Sequence, residues 1–105
     1  MGKLLLKEIL LTIKKNGYWY YYDLNGKLVK EGHYIESKPS EWWKFYYKKI
    51  NSFEECLYQE DGITRFCLYY IDNKLKKACK YRNDTFIKQW TTISSFKNDN
   101  PHFKF

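Results

Sequence analysis

GYWYYYDLNGKLVKEGHY, residues Gly17 to Tyr34, has the form of a complete β-hairpin. An aromatic run from Tyr18 to Tyr22 stops at Asp23–Leu24, and Asn25–Gly26 follows at once. Asn-Gly is the strongest short-range hairpin signal, because both central residues of a type I′ turn need positive φ. The chain resumes with Leu28–Val29 among alternating charges and closes on Tyr34. Large side chains therefore sit on both expected strands.

The unit recurs along the chain. Trp19, Trp43, Phe66 and Trp90 are 24, 23 and 24 residues apart, and Tyr22, Tyr46, Tyr69 and Ile93 keep that spacing. Tyr34, Tyr58 and Tyr81 repeat at 24 and 23. A period in this range implies stacked supersecondary units, none of which can cover its own apolar face alone. The expected fold is all-β: a single antiparallel meander of repeated hairpins, seven or eight strands in sequential order, with turns near Asn16–Gly17, Asn25–Gly26 and Asp72–Asn73. Successive strand residues point to opposite faces. Trp19 and Tyr21 are accordingly expected to share the better-buried face with Trp43, Phe45, Phe66 and Leu68. Trp43 is expected to be central to the core, and Trp90 peripheral.

Gly17-x-Trp19-x-x-Tyr22-x-x-Asn25-Gly26-x-Leu28-x-x-Glu31-Gly32-x-Tyr34 resembles the bacterial variant of the MORN repeat found in YwqK-type, antitoxin-like proteins. The second unit keeps Trp43, Tyr46, Glu55 and Tyr58 but has Lys49–Ile50 in place of Asn-Gly. The third keeps Tyr69, Leu75 and Tyr81, with Phe66 for the Trp and Asp72–Asn73 at the turn. The resemblance covers about residues 17 to 93. It implies a hairpin-repeat scaffold that binds other proteins, antitoxin-like or immunity-like, and it is far more specific for fold than for target.

One hundred and five residues make a single domain with a modest core. A 44% apolar share beside 30% charged residues excludes a disordered chain. Seventeen of the 19 basic residues are Lys, the bias of a low-GC bacterial or phage genome, and the net charge is +7. The organisation expected is an N-terminal strand or helix over residues 1–16, hairpin repeats over 17–93 and a polar tail over 94–105. Residues 3–14 fit either a strand that completes a truncated repeat or a short amphipathic helix. That run is too short and too charged to span a bilayer and lacks a cleavage site, so a cytoplasmic location is expected. The tail is expected to be a loop that caps the last hairpin with Phe96, Phe103 or Phe105.

Chemistry-bearing clusters are sparse. Cys56, Cys67 and Cys79 lack paired metal-ligand spacing, and only His33 and His102 accompany them. They read as small buried thiols in a reduced compartment, with no metal and no cofactor. Glu54 and Glu55 are adjacent and would face opposite ways on a strand, so they cannot form a carboxylate dyad. No nucleophile motif or phosphate-cradling Gly loop is present. No catalytic residue is assigned.

Two candidate binding features remain. Tyr20, Tyr22, Trp42 and Tyr46 fall on the face opposite the Trp19 column, and exposed rings anchor protein interfaces. The run Lys74, Lys76, Lys80 and Arg82 shares strand parity and would form a basic stripe in a third repeat that carries a net charge of about +5. The function expected is a small non-catalytic inhibitor of another protein: a toxin, a nucleic-acid-processing enzyme or, from a phage, a host defence component. The alternative is a basic scaffold for RNA or anionic lipid, which the scarcity of Arg disfavours.

Overall fold

A computed structural model describes residues 14–49 and 51–103. Seven strands are present among the described residues: β1 (Gly17–Tyr22), β2 (Leu28–Ile35), β3 (Lys38–Tyr46), β4 (Ser52–Tyr58), β5 (Thr64–Ile71), β6 (Lys74–Arg82) and β7 (Thr85–Trp90). They form one antiparallel sheet in the order β1-β2-β3-β4-β5-β6-β7, the meander that the repeat implies. A short helix, α1 (Ile93–Asp99), follows. The strand-or-helix alternative for residues 3–14 falls on positions that, Lys14 apart, lie outside the described residues.

The turns follow from residues that tolerate positive φ. Glu36–Ser37, Asp72–Asn73 and Asn83–Asp84 each join two strands with positive φ at both positions, the φ pattern of a type I′ turn. Asn25–Gly26 behaves differently from expectation. It lies in a five-residue loop, Asp23 to Lys27, with positive φ at Gly26 and not at Asn25. The cause is Asp23, whose carboxylate accepts from the Asn25 and Lys27 amides at 2.8 and 3.0 Å and so winds the loop about itself. Asp61 organises the β4–β5 loop in the same way, accepting from the Ile63 and Thr64 amides and the Thr64 hydroxyl. At Asn16–Gly17, Gly17 has φ +87, as a turn requires, and the Asn16 side chain accepts from the Glu36 amide.

The face assignments divide the molecule. On one face, face A, Trp19 and Trp43 are both level with Gly32 on the strand between them. Tyr34 stands edge-on to Trp43 at 4.8 Å, and Phe45 stacks on Trp43 at 6.1 Å. Trp43 is 3% exposed, and its indole N–H donates to the His33 carbonyl at 2.9 Å. This half of the sheet matches the expected Trp19 face.

Phe66 and Leu68 do not belong to it. Trp43 is level with Cys56, and Cys56 with Cys67, so the residue two strands from Trp43 is 24 positions on, not 23. Phe66 is level with Leu57 and Trp42 and lies on the opposite face, face B. A one-residue slip reverses the face of a strand residue. The strict 24-residue series is therefore Tyr18, Trp42, Phe66 and Trp90, all on face B. Trp90 is 5% exposed and buried in a cluster with Phe66, Leu68, Ala78 and Phe96, which corrects its expected peripheral place.

The tail is likewise not a loop. Thr92 caps α1 by accepting from the Ser95 amide, and the helix lays Phe96, 1% exposed, over Phe66 and Trp90. Phe103 packs against Phe66 and Phe96 and reaches Trp42 at 6.3 Å. Capping by Phe96 and Phe103 is thus as expected, and Phe105 lies outside the described residues. Two half-cores result, aromatic on face A over β1–β3 and helix-covered on face B over β5–β7.

Cys56 and Cys67 face each other across β4 and β5 with Cα atoms 4.0 Å apart and are joined by a disulfide. This corrects the expectation of three free thiols: only Cys79, buried and level with Cys67, stays free. No helix among the described residues is long and apolar enough to cross a membrane.

Candidate functional site

The uncovered part of face B lies over β1 to β4, beyond the reach of α1. Tyr20, Tyr22, Trp42 and Tyr46 all stand on it, because Tyr20 is level with Glu31, Tyr22 with Leu28, Trp42 with Leu57 and Tyr46 with Phe53. Their environments differ. Tyr20 and Tyr22 are 54% and 61% exposed, while Trp42 is 37% exposed and leans on Phe103. Tyr46 is half-buried and donates to the Glu31 carboxylate at 2.8 Å.

A groove of about 340 Å³ opens on this face beside Trp42, lined by Tyr18, Glu31, Trp42, Trp43, Lys44, Glu55, Leu68 and Tyr70; Tyr20, Tyr22 and Tyr46 do not line it. Only Trp42 among these was a binding candidate from the sequence; Trp43 and Leu68 were expected on the buried face. Tyr18 could have been found from the strict 24-residue series that ends at Trp90. Glu31 and Glu55 occupy the same position of successive repeats, a periodic acid that the aromatic columns overshadowed. Tyr70 comes into the groove because its ring stacks on Phe53 at 4.9 Å, a contact made between strands.

Hydrogen bonding sets the electrostatics. Glu31 accepts from Tyr18 on one oxygen and from Tyr46 on the other, each at 2.8 Å. Burial, and then the Glu31 carboxylate, push the Tyr18 hydroxyl up to about 12 and raise Tyr46 as well. Both hydroxyls therefore stay protonated donors at neutral pH, and Glu31 has both oxygens engaged. Glu55 makes no hydrogen bond or ion pair with the described residues. Lys44 is level with it on β3, but its ammonium lies over the Phe53 and Tyr46 rings, at 4.3 and 5.1 Å. Glu54 faces the other way, level with Tyr69 and Phe45 on face A, so the two adjacent acids are separated by the sheet as the sequence indicated.

The basic stripe does not form. Lys76 is the extra residue of a β-bulge in β6, where Lys77 pairs with Tyr69 and Leu75 with Tyr70. The bulge moves Lys74 to the Ile71 position of face A, while Lys80 and Arg82 stay on face B opposite Phe66 and Thr64. Lys80 is also withdrawn over the Phe66 ring at 5.6 Å. A separate cleft of about 680 Å³ is lined by Asp23, Lys27, Tyr46, Lys48, Asn51 and Phe53 and shares no residue with the groove.

Glu54, Cys56 and Cys67 are the one group of potential metal ligands among the described residues, and the disulfide occupies both sulfurs. Compared with known proteins, the chain matches no family model, no curated protein and no solved structure.

Proposed function

We propose that this protein is a small, non-catalytic binding module that occludes another protein with the open half of face B, in the manner of an antitoxin-like or immunity-like inhibitor built on MORN-type hairpins. The observation that carries the reading is the groove itself: a ring-lined concavity on the sheet, with Tyr20 and Tyr22 exposed on the same face. Tyr and Trp presented on a fixed scaffold give contact area at little entropic cost. The splitting of Lys74 from Lys80 and Arg82 favours this over an electrostatic grip on phosphates, which needs several cations on one surface.

The test is capture of a partner from a low-GC bacterial lysate, with and without nuclease, followed by two variants. One replaces Tyr20 and Trp42 with Ser; the other replaces Lys74, Lys76 and Lys80 with Glu. Loss of the captured protein from the aromatic variant alone, with its circular dichroism unchanged, is expected. Capture that needs nucleic acid, or that only the charge reversal abolishes, refutes the proposal.

A further inference from the structure

We infer that the face B groove is a receptor for an arginine side chain of the partner, seated on Glu55 between the rings of Trp42, Tyr70 and Tyr18. The inference rests on the binding role proposed for this face and assigns the chemistry of its central contact.

The argument is one of charge complementarity in an unusual place. The chain carries a net +7, yet this groove holds two carboxylates against one lysine. Of the two acids, Glu31 is committed on both oxygens to Tyr18 and Tyr46, which holds the Tyr18 ring as a wall of the groove. Glu55 is left as an acceptor with no hydrogen-bond or ion-pair partner among the described residues, half-buried and level with Leu68 on one side. Lys44 is the nearest candidate to neutralise it, and its ammonium is held instead over Phe53 and Tyr46.

An anion in a groove whose lining includes the rings of Tyr18, Trp42 and Tyr70 selects a cation that is flat and only weakly hydrated. Guanidinium meets both conditions: it stacks on rings and offers two parallel N–H donors to a carboxylate. An ammonium is more strongly hydrated and gives a single point contact, so lysine is the poorer fit. Lys44 shows that the rings of this surface already hold a cation, one strand away from Glu55.

The probe is N-acetyl-arginine N-methylamide, titrated into the full chain and followed by NMR at the Trp42 indole. The neutral isostere, the citrulline amide, and the lysine amide serve as comparisons. The arginine probe is expected to saturate in the millimolar range appropriate to a single side chain, with citrulline about tenfold weaker or more and lysine between them. Glu55→Gln is expected to bring the arginine probe down to the citrulline level, and Lys44→Met, which removes the competing charge, to tighten it. Equal binding of arginine and citrulline, or an unchanged affinity in a folded Glu55→Gln variant, overturns the inference. No arginine binding by a chain that still captures a protein through Tyr20 and Trp42 overturns it while leaving the binding role intact. Saturable arginine binding by a chain whose captured partner ignores the aromatic variant sinks the binding role instead.

Discussion

Replacing Gly32 with Ala would put a methyl group where the Trp43 ring already lies. A Cβ on Gly32 would fall 2.1 Å from Trp43 Cδ2 and 2.4 Å from both Cε2 and Cγ. Carbon atoms in contact sit at about 3.5–4.0 Å, so the ring would have to retreat by roughly 1.4 Å or more. It has little room to do so: Tyr34 meets it edge-on, Phe45 stacks behind it, and its N–H is tied to the His33 carbonyl. Overpacking of this kind costs about 1–3 kcal/mol, and loosening the indole hydrogen bond adds about 1 kcal/mol. The stiffer unfolded chain returns roughly 0.4–1 kcal/mol. The net expectation is a loss of about 2–3 kcal/mol, or roughly 8–24 °C in melting temperature for a chain of this size. Urea and thermal unfolding, followed by tryptophan fluorescence and near-UV circular dichroism, measure it. The same substitution in a Trp43→Leu background should cost less than half as much, since the clash is with the indole. A Gly32→Ala protein that melts with the parent, or that loses as much in both backgrounds, refutes the packing described for face A.

Other outcomes follow from the two half-cores. Trp90→Ala is expected to be as severe as Trp43→Ala, about 3–5 kcal/mol each, because both rings are buried; a Trp90 variant that unfolds like the parent would show that α1 does not seal face B. Asp99 accepts from Lys88 and from the Trp90 indole, and these bonds hold its carboxyl below the usual range. A depressed folded-state pKa contributes stability above the unfolded value and loses it as the pH falls through the folded one. Acidification through and below the ordinary carboxylate range should therefore loosen α1, seen as a change in Trp90 fluorescence, and Asp99→Asn should remove that dependence. Unfolded without reductant, the chain should react with one equivalent of a thiol reagent, and with three after reduction; three equivalents from the start would deny the Cys56–Cys67 bond.

The amino-acid sequence determined the strand content, the order of the strands and the spacing of the units. Each of these follows from local chemistry: ring-rich runs that suit a pleated surface, and Asp, Asn and Gly where the backbone must reverse. It also placed Tyr20, Tyr22, Trp42 and Tyr46 together on one face, since β1 keeps its alternation and β3 pairs with β4 without interruption from Trp42 to Tyr46. What only the tertiary structure decided is which face each later residue takes. The Tyr34, Tyr58 and Tyr81 column keeps face A across a step of 23, whereas the same step carries Phe66 away from Trp43. The difference lies in how many residues each pair of strands and its loop consume, and a bulge at Val29, Glu41–Trp42, Lys76 or Ile87 alters that count by one or two. No residue type announces a bulge. Lys76 is a lysine among lysines, yet its extra place in β6 divides the basic run between two faces. The groove has the same origin: Glu55 has no ion pair among the described residues because Lys44, level with it, lies over the Phe53 ring, a choice made between side chains that only the folded sheet brings side by side.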